Sequence, residues 1–161
     1  MASLKMQGLD EYIQKLEKVK NAEAMIKRAV YDGAAVVAKS VSAAIDQIPE
    51  NSGEYVPSDG AITGISRDQK RGLKEGLGLA KMQNDSGFIN TKIGFDGYNS
   101  VRTKKYPNGQ PNSLIARAIE SGTSRRPKYR FVAKATSQAA AAAEKAMADR
   151  LDQDLKNTME G

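Results

Sequence analysis

Ile26, Val30, Gly33, Val37, Val41, Ala44 and Ile48 recur at steps of three or four residues, and Pro49 closes the run. Apolar positions at that spacing share one face of an α-helix, and so long a face must be buried. The residue before a proline disfavours helical backbone, so the helix is expected to stop short of Pro49. Asn21 is placed to cap its start. Gly33 lies on the buried stripe, where a missing side chain suits close packing against another helix. A second long helix, either packing internally or facing a neighbouring subunit, is expected at the far end of the chain, from about residue 129 into the late 150s. Residues 139–143 are five consecutive alanines; alanine is the best helix former and lets a neighbour approach closely. Met147, Leu151, Leu155 and Met159 extend an apolar stripe at i+4 steps, with acidic residues between them.

The stretches around these helices read as smaller elements. Leu4 and Met6 alternate with polar residues, which predicts a short edge strand over 3–8. Leu9, Tyr12, Ile13, Leu16 and Val19 follow helical spacing. Residues 49–65 are rich in Pro, Gly, Ser, Asp and Asn and predict a long flexible loop with few apolar anchors. Ser66 opens a polar helical run that glycines 72, 76 and 78 interrupt. Gly76-x-Gly78 is read as a helix end or turn: neither phosphate-loop fingerprint is present, and no apolar strand feeds it. Residues 88–95 alternate and predict a strand. Asp96-Gly97 is a tight-turn signal, with 98–103 as the returning arm. Asn108-Gly109 marks a second turn. Asn112 or Ser113 caps a short helix carrying Leu114, Ile115, Ala118 and Ile119, and Gly122 ends it. The fold class expected is α+β: two long helices and two or three short ones on a small antiparallel sheet, in a single domain over 1–161.

The chain has no cysteine and no histidine. That excludes disulfides, Cys/His zinc sites, thiol nucleophiles and imidazole acid–base chemistry. Glu120 has no second carboxylate or nucleophile nearby, so it is read as structural, in a salt bridge to Arg117 or to an arginine of the next turn. Thr123 and Ser124 lack a partner base. No catalytic, metal or cofactor site is expected. There is no apolar run near eighteen residues and no apolar signal segment, so neither a membrane span nor secretion is expected.

Charge is unevenly placed. Residues 101–135 hold nine basic side chains (Arg102, Lys104, Lys105, Arg117, Arg125, Arg126, Lys128, Arg130 and Lys134) against Glu120 alone, whereas the whole chain carries a net charge of +6. Beyond Ala135 the balance is acidic, through Glu144, Asp149, Asp152, Asp154 and Glu160. Arg125, Arg126, Lys128 and Arg130, interleaved with Tyr129 and Phe131, could meet protein, solvent or phosphates. Protein contact is the preferred reading, with Lys104, Lys105 and Tyr106 as a smaller version. Charges on an exposed turn contribute little to stability. The interface candidates are therefore Arg102, Lys104, Lys105, Arg125, Arg126, Lys128 and Arg130 on one side, and Asp149, Asp152 and Asp154 on the other.

The order of motifs resembles the head–tail joining (tail-completion, minor tail component) proteins of long-tailed bacteriophages and prophages. In that family a strand ends in a G-L-D turn, here Gly8-Leu9-Asp10. A loop carries P-x-x-S/T-G, here Pro49-Glu50-Asn51-Ser52-Gly53. A short helix ends in E-x-G-T-S, here Glu120-Ser121-Gly122-Thr123-Ser124. The closing helix opens P-F-(L/I/V)-x-(P/K)-A, here Arg130-Phe131-Val132-Ala133-Lys134-Ala135, with arginine where proline is usual. The resemblance implies a non-enzymatic virion protein of the neck, assembled in the host cytoplasm. It also implies a homo-oligomeric ring that meets other connector and tail proteins and lies near DNA. A ring joins unlike patches of neighbouring copies, and the basic and acidic regions are suitable opposites by charge. The alternative from the residues alone is a small basic nucleic-acid-binding protein. A nuclease or glycosidase would need a carboxylate constellation that the sequence does not offer.

Overall fold

The structure is a computed structural model and describes residues 21–51 and 59–160. The strand expected over 3–8, the helix over 9–19 and the middle of the 49–65 loop lie outside the described residues. The described chain is α+β. Helix α1 (Ala22–Asp46) and helix α4 (Phe131–Glu160) form its axis. They run antiparallel, since Ser40 meets Ala135 while Arg28 meets Asp154. Gly33 explains how closely they pack: a Cβ there would fall on the side chain of Met147 and lie 3.3 Å from the Ala143 carbonyl oxygen.

The buried stripe of α1 is Met25, Ala29, Gly33, Val37, Val41 and Ile45. Val37, Val41 and Gly33 are where the periodicity put them. Ile26 and Val30 are not: they sit half-buried at the edge of a small cluster of Met25, Ala29, Met147 and Leu151. A continuous i+4 path drifts around a straight helix, and Met25 and Ala29 hold its inner side. Asn21 does not cap with its side chain. It takes a left-handed backbone (φ 76), and its carbonyl accepts from the N–H groups of Ala24 and Met25 at 3.0 and 3.2 Å. On α4, Met147 and Leu151 are buried, but Met159 is 85% exposed.

Helix α2 (Arg67–Gly76) begins at a capping box, Ser66 and Gln69 exchanging backbone-to-side-chain bonds of 3.0 and 3.2 Å. Its inner face carries Gly72 and the fully buried Leu73. A Cβ on Gly72 would strike Asn99 and Asn112, and one on Gly76 would strike the Asp96 carbonyl. These two glycines let the helix lie against the segment that follows the sheet.

The sheet differs from the expected hairpin. Strand β1 (Leu77–Leu79) pairs antiparallel with β4 (Ile93–Phe95), and β2 (Gln83–Asp85) pairs with β3 (Phe88–Asn90). Between the two ladders, residues 80–82 face only 91–92, a bulge in one long hairpin. Its tip is Ser86-Gly87, with φ of 57 and 92, the backbone of a two-residue turn matched to strand twist. Asp96-Gly97 bends the chain away instead. Tyr98 bridges to Pro111 and Asn99 donates to the Gln110 carbonyl, so 98–110 closes on itself as a loop. The Asn108-Gly109 turn stands where expected, Gly109 having φ 115.

Helix α3 (Asn112–Ser121) starts after Pro111 without a side-chain cap, and Gly122 (φ 74) ends it. Asn112 turns inward rather than capping: its amide nitrogen donates to the Asp96 carbonyl at 2.8 Å. The main core gathers Val37, Val41, Ile45, Ile48, Ile65, Leu73, Ile93, Ile115, Ile119, Phe131 and three alanines of α4. The described ends of the 49–65 segment are anchored, because Ile65 is fully buried and Asn51 and Ile65 trade backbone bonds with Ile65 and Pro49 at 2.9 Å.

Candidate interface

The basic segment divides into two groups that do different things. Thr123 and Arg126 close a tight turn through paired backbone bonds of 2.9 and 3.2 Å. That turn aims Arg125 and Arg126 at the 59–65 segment. Arg125 donates to the Gly60 carbonyl at 3.1 Å, and its own carbonyl accepts from Ile62 at 2.7 Å. Arg126 donates to the Gly64 carbonyl. Burial pulls the Arg126 guanidinium below the usual arginine range, the direction expected when a cation loses water. Both arginines are half-buried and clasp a neighbouring segment, so the picture of free charges on an exposed turn does not hold for them.

Glu120 is structural, but with a different partner from the one expected. Its two carboxylate oxygens accept from the backbone N–H groups of Val132 and Ala133 at 2.9 and 3.1 Å. The first N–H groups of a helix have no partner within it, and the N-terminus carries partial positive charge. A carboxylate from α3 therefore caps α4. Tyr129 ties the same joint from the other side: its N–H donates to Ile119 at 2.9 Å and its hydroxyl to the Gln47 carbonyl at 3.1 Å. Arg130, the last residue before α4, has φ 53. Proline cannot adopt that angle, so the entry into α4 seen here excludes proline at position 130.

The second group is exposed. Arg102, Lys104 and Lys105 lie on the loop before α3; Arg117 stands on its outer stripe with Ser113 and Ser121; Lys128, Arg130 and Lys134 follow it. None of these seven makes an ion pair among the described residues. Lys105 lies over Tyr106 and Lys134 over Tyr129, at 5.5 and 5.2 Å from the ring centres.

The acidic candidates are largely occupied. Asp154 is 8% exposed and faces α1, 2.9 Å from Arg28 and 3.6 Å from Arg150. Arg150 also reaches Asp32 at 3.4 Å, so four charges alternate between the two long helices. Asp154 is therefore turned inward rather than offered as an outer patch. Asp149 pairs with Lys145 at 2.6 Å. Asp152, half-buried, is the one of the three without an ion pair among the described residues. Sequence reasoning missed Arg28, Asp32 and Arg150, although helical spacing of Arg28 with Asp32 and of Arg150 with Asp154 was available as a signal.

Among the described residues, no group of three or more His, Cys, Asp or Glu stands close enough to hold a metal ion. No described helix is long and apolar enough to cross a membrane. No family model, curated protein or solved structure matches the chain.

Proposed function

We propose that the protein is a structural subunit of the head–tail junction of a long-tailed bacteriophage or prophage. It joins or completes the tail through ring-like association with copies of itself and contacts to connector and tail proteins, and it has no catalytic role. One observation carries this reading. The residues behind the resemblance form a mechanical joint: Glu120 caps α4, Gly122 supplies the positive-φ helix end, the arginine turn clasps 59–65, and Phe131 is fully buried against Phe95 at 5.9 Å. A motif whose parts fix three segments to one another suits a load-carrying subunit, where rigidity is the functional requirement.

The test is the mass of the purified protein, alone and mixed with its cognate tail components. The expected result is a closed multimer with the tail components present. A strictly monomeric protein that binds none of them would overturn the reading. The competing reading, a small nucleic-acid-binding protein acting alone, is favoured by the seven exposed cations around α3.

A further inference from the structure

We infer that the exposed cations around α3 form a binding surface for the phosphate backbone of duplex DNA, read without regard to sequence. This rests on the neck reading for the choice of DNA among polyanions, and it replaces the second copy of the chain as the partner of the basic region.

Three observations lead there. First, no cation of the array makes an ion pair among the described residues. Glu120 is the sole acid in 101–135, and its oxygens are committed to backbone N–H groups of α4. Second, of the three acidic candidates that a copy of this chain would present, only Asp152 makes no ion pair among the described residues. Asp154 is buried and paired, Asp149 is paired, and Asp32 is taken by Arg150. Third, among the described residues the array lacks the apolar centre that anchors protein interfaces. Of the exposed large apolar side chains among the described residues, Tyr31, Phe88, Tyr98 and Met159, only Tyr98 neighbours it in the chain. Phosphate binding needs no such anchor; it needs spaced cations.

The spacing suits a duplex. Helix α3 spans about 15 Å at 1.5 Å per residue, with one cluster before it, Arg117 on it and one cluster after it. The same length of duplex axis carries about nine phosphate charges. Ser113 and Ser121, exposed on the Arg117 stripe, add hydroxyl donors.

The experiment is anisotropy titration of a labelled 40-base-pair duplex with the full chain between about 50 and 200 mM salt. Neutralising five or six phosphates predicts a log–log slope of about −5, close to a thousandfold loss across that range. Arg102→Ser with Lys104→Ser and Lys105→Ser should flatten the slope by about 2 to 3. Lys128→Ser with Arg130→Gly should flatten it by about 2, glycine keeping the left-handed backbone. Lys156→Ser, near the far end of α4, should leave it unchanged. Unchanged melting curves would establish that the variants fold.

No binding at 50 mM salt would overturn the proposal, as would a slope that the array variants do not move. Equal binding of polyglutamate or of anionic phospholipid vesicles would overturn the assignment to DNA. The two readings fail separately. A parent protein that joins heads to tails but binds no duplex at about 50 mM salt removes the surface alone. Intact virions from a gene deletion remove the neck reading alone.

Discussion

Two backbone N–H groups at the start of α4 depend on one side chain, Glu120, and that dependence can be measured. Glu120→Ala leaves both donors to water or to nothing and should cost about 1–3 kcal/mol. Glu120→Gln keeps an acceptor oxygen and should cost less. Thermal denaturation of the two variants orders them, and equal stability of Glu120→Ala and the parent would show that the cap is dispensable. Val37, 1% exposed between the long helices, gives the opposite kind of test. Val37→Asp buries a carboxylate with no partner, a cost of several kcal/mol. A cooperative melt at the parent temperature would contradict the core as described. At this scale the sequence was a good guide to apolar residues and a poor one to polar ones. Val37, Val41 and Gly33 follow from period alone. Glu120 was legible as structural, but its partners, the N–H groups of Val132 and Ala133, lie across a turn whose geometry no spacing rule specifies. The inward turn of Asp154 depends likewise on Arg28, more than a hundred residues away.

Among the elements, the long helices were legible because periodicity accumulates over many turns, whereas the sheet was not. Each strand of the hairpin is three residues long, β1 follows directly on the glycine end of α2, and a bulge shifts the alternation halfway along. Asp96-Gly97 is the stronger turn signal in sequence, yet Ser86-Gly87 makes the turn. Ser86 holds positive φ, where asparagine is better tolerated. Ser86→Asn should therefore raise stability by a few tenths of a kcal/mol, read from the denaturant midpoint; a loss would contradict the turn geometry. The arginine clasp makes a second prediction at this scale. Amides of Ile62 and Ile65 are hydrogen-bonded to Arg125 and Pro49, so they should be protected from hydrogen exchange. Arg126→Ala removes a charged donor from the Gly64 carbonyl and should raise exchange at both amides by about tenfold, one to two kcal/mol of local stability. Unaltered exchange would mean that the clasp does not hold the segment.

For the molecule as a whole, the geometry separates two kinds of charge. The four-residue network of Arg28, Asp32, Arg150 and Asp154 ties the long helices together, and it turns inward Asp154, which sequence alone offered to an outer patch. The cations around α3 stay outside, and the one on α4, Lys134, lies about 22 Å along the helix axis from Asp149 at 1.5 Å per residue. Charge counted along the chain locates the cations, seven of which are exposed, but it takes no notice of which partners folding brings together, and so it misses the inward turn of Asp154. The α+β class was legible for the same reason as the helices; the interface was legible only in outline. The proposed place in a phage neck is decided by deleting the gene from the phage or prophage that would carry it and examining the lysate by electron microscopy. DNA-filled heads and finished tails that remain unjoined are expected, with joining restored by the parent protein supplied in trans. Normal numbers of complete virions from the deletion would contradict it.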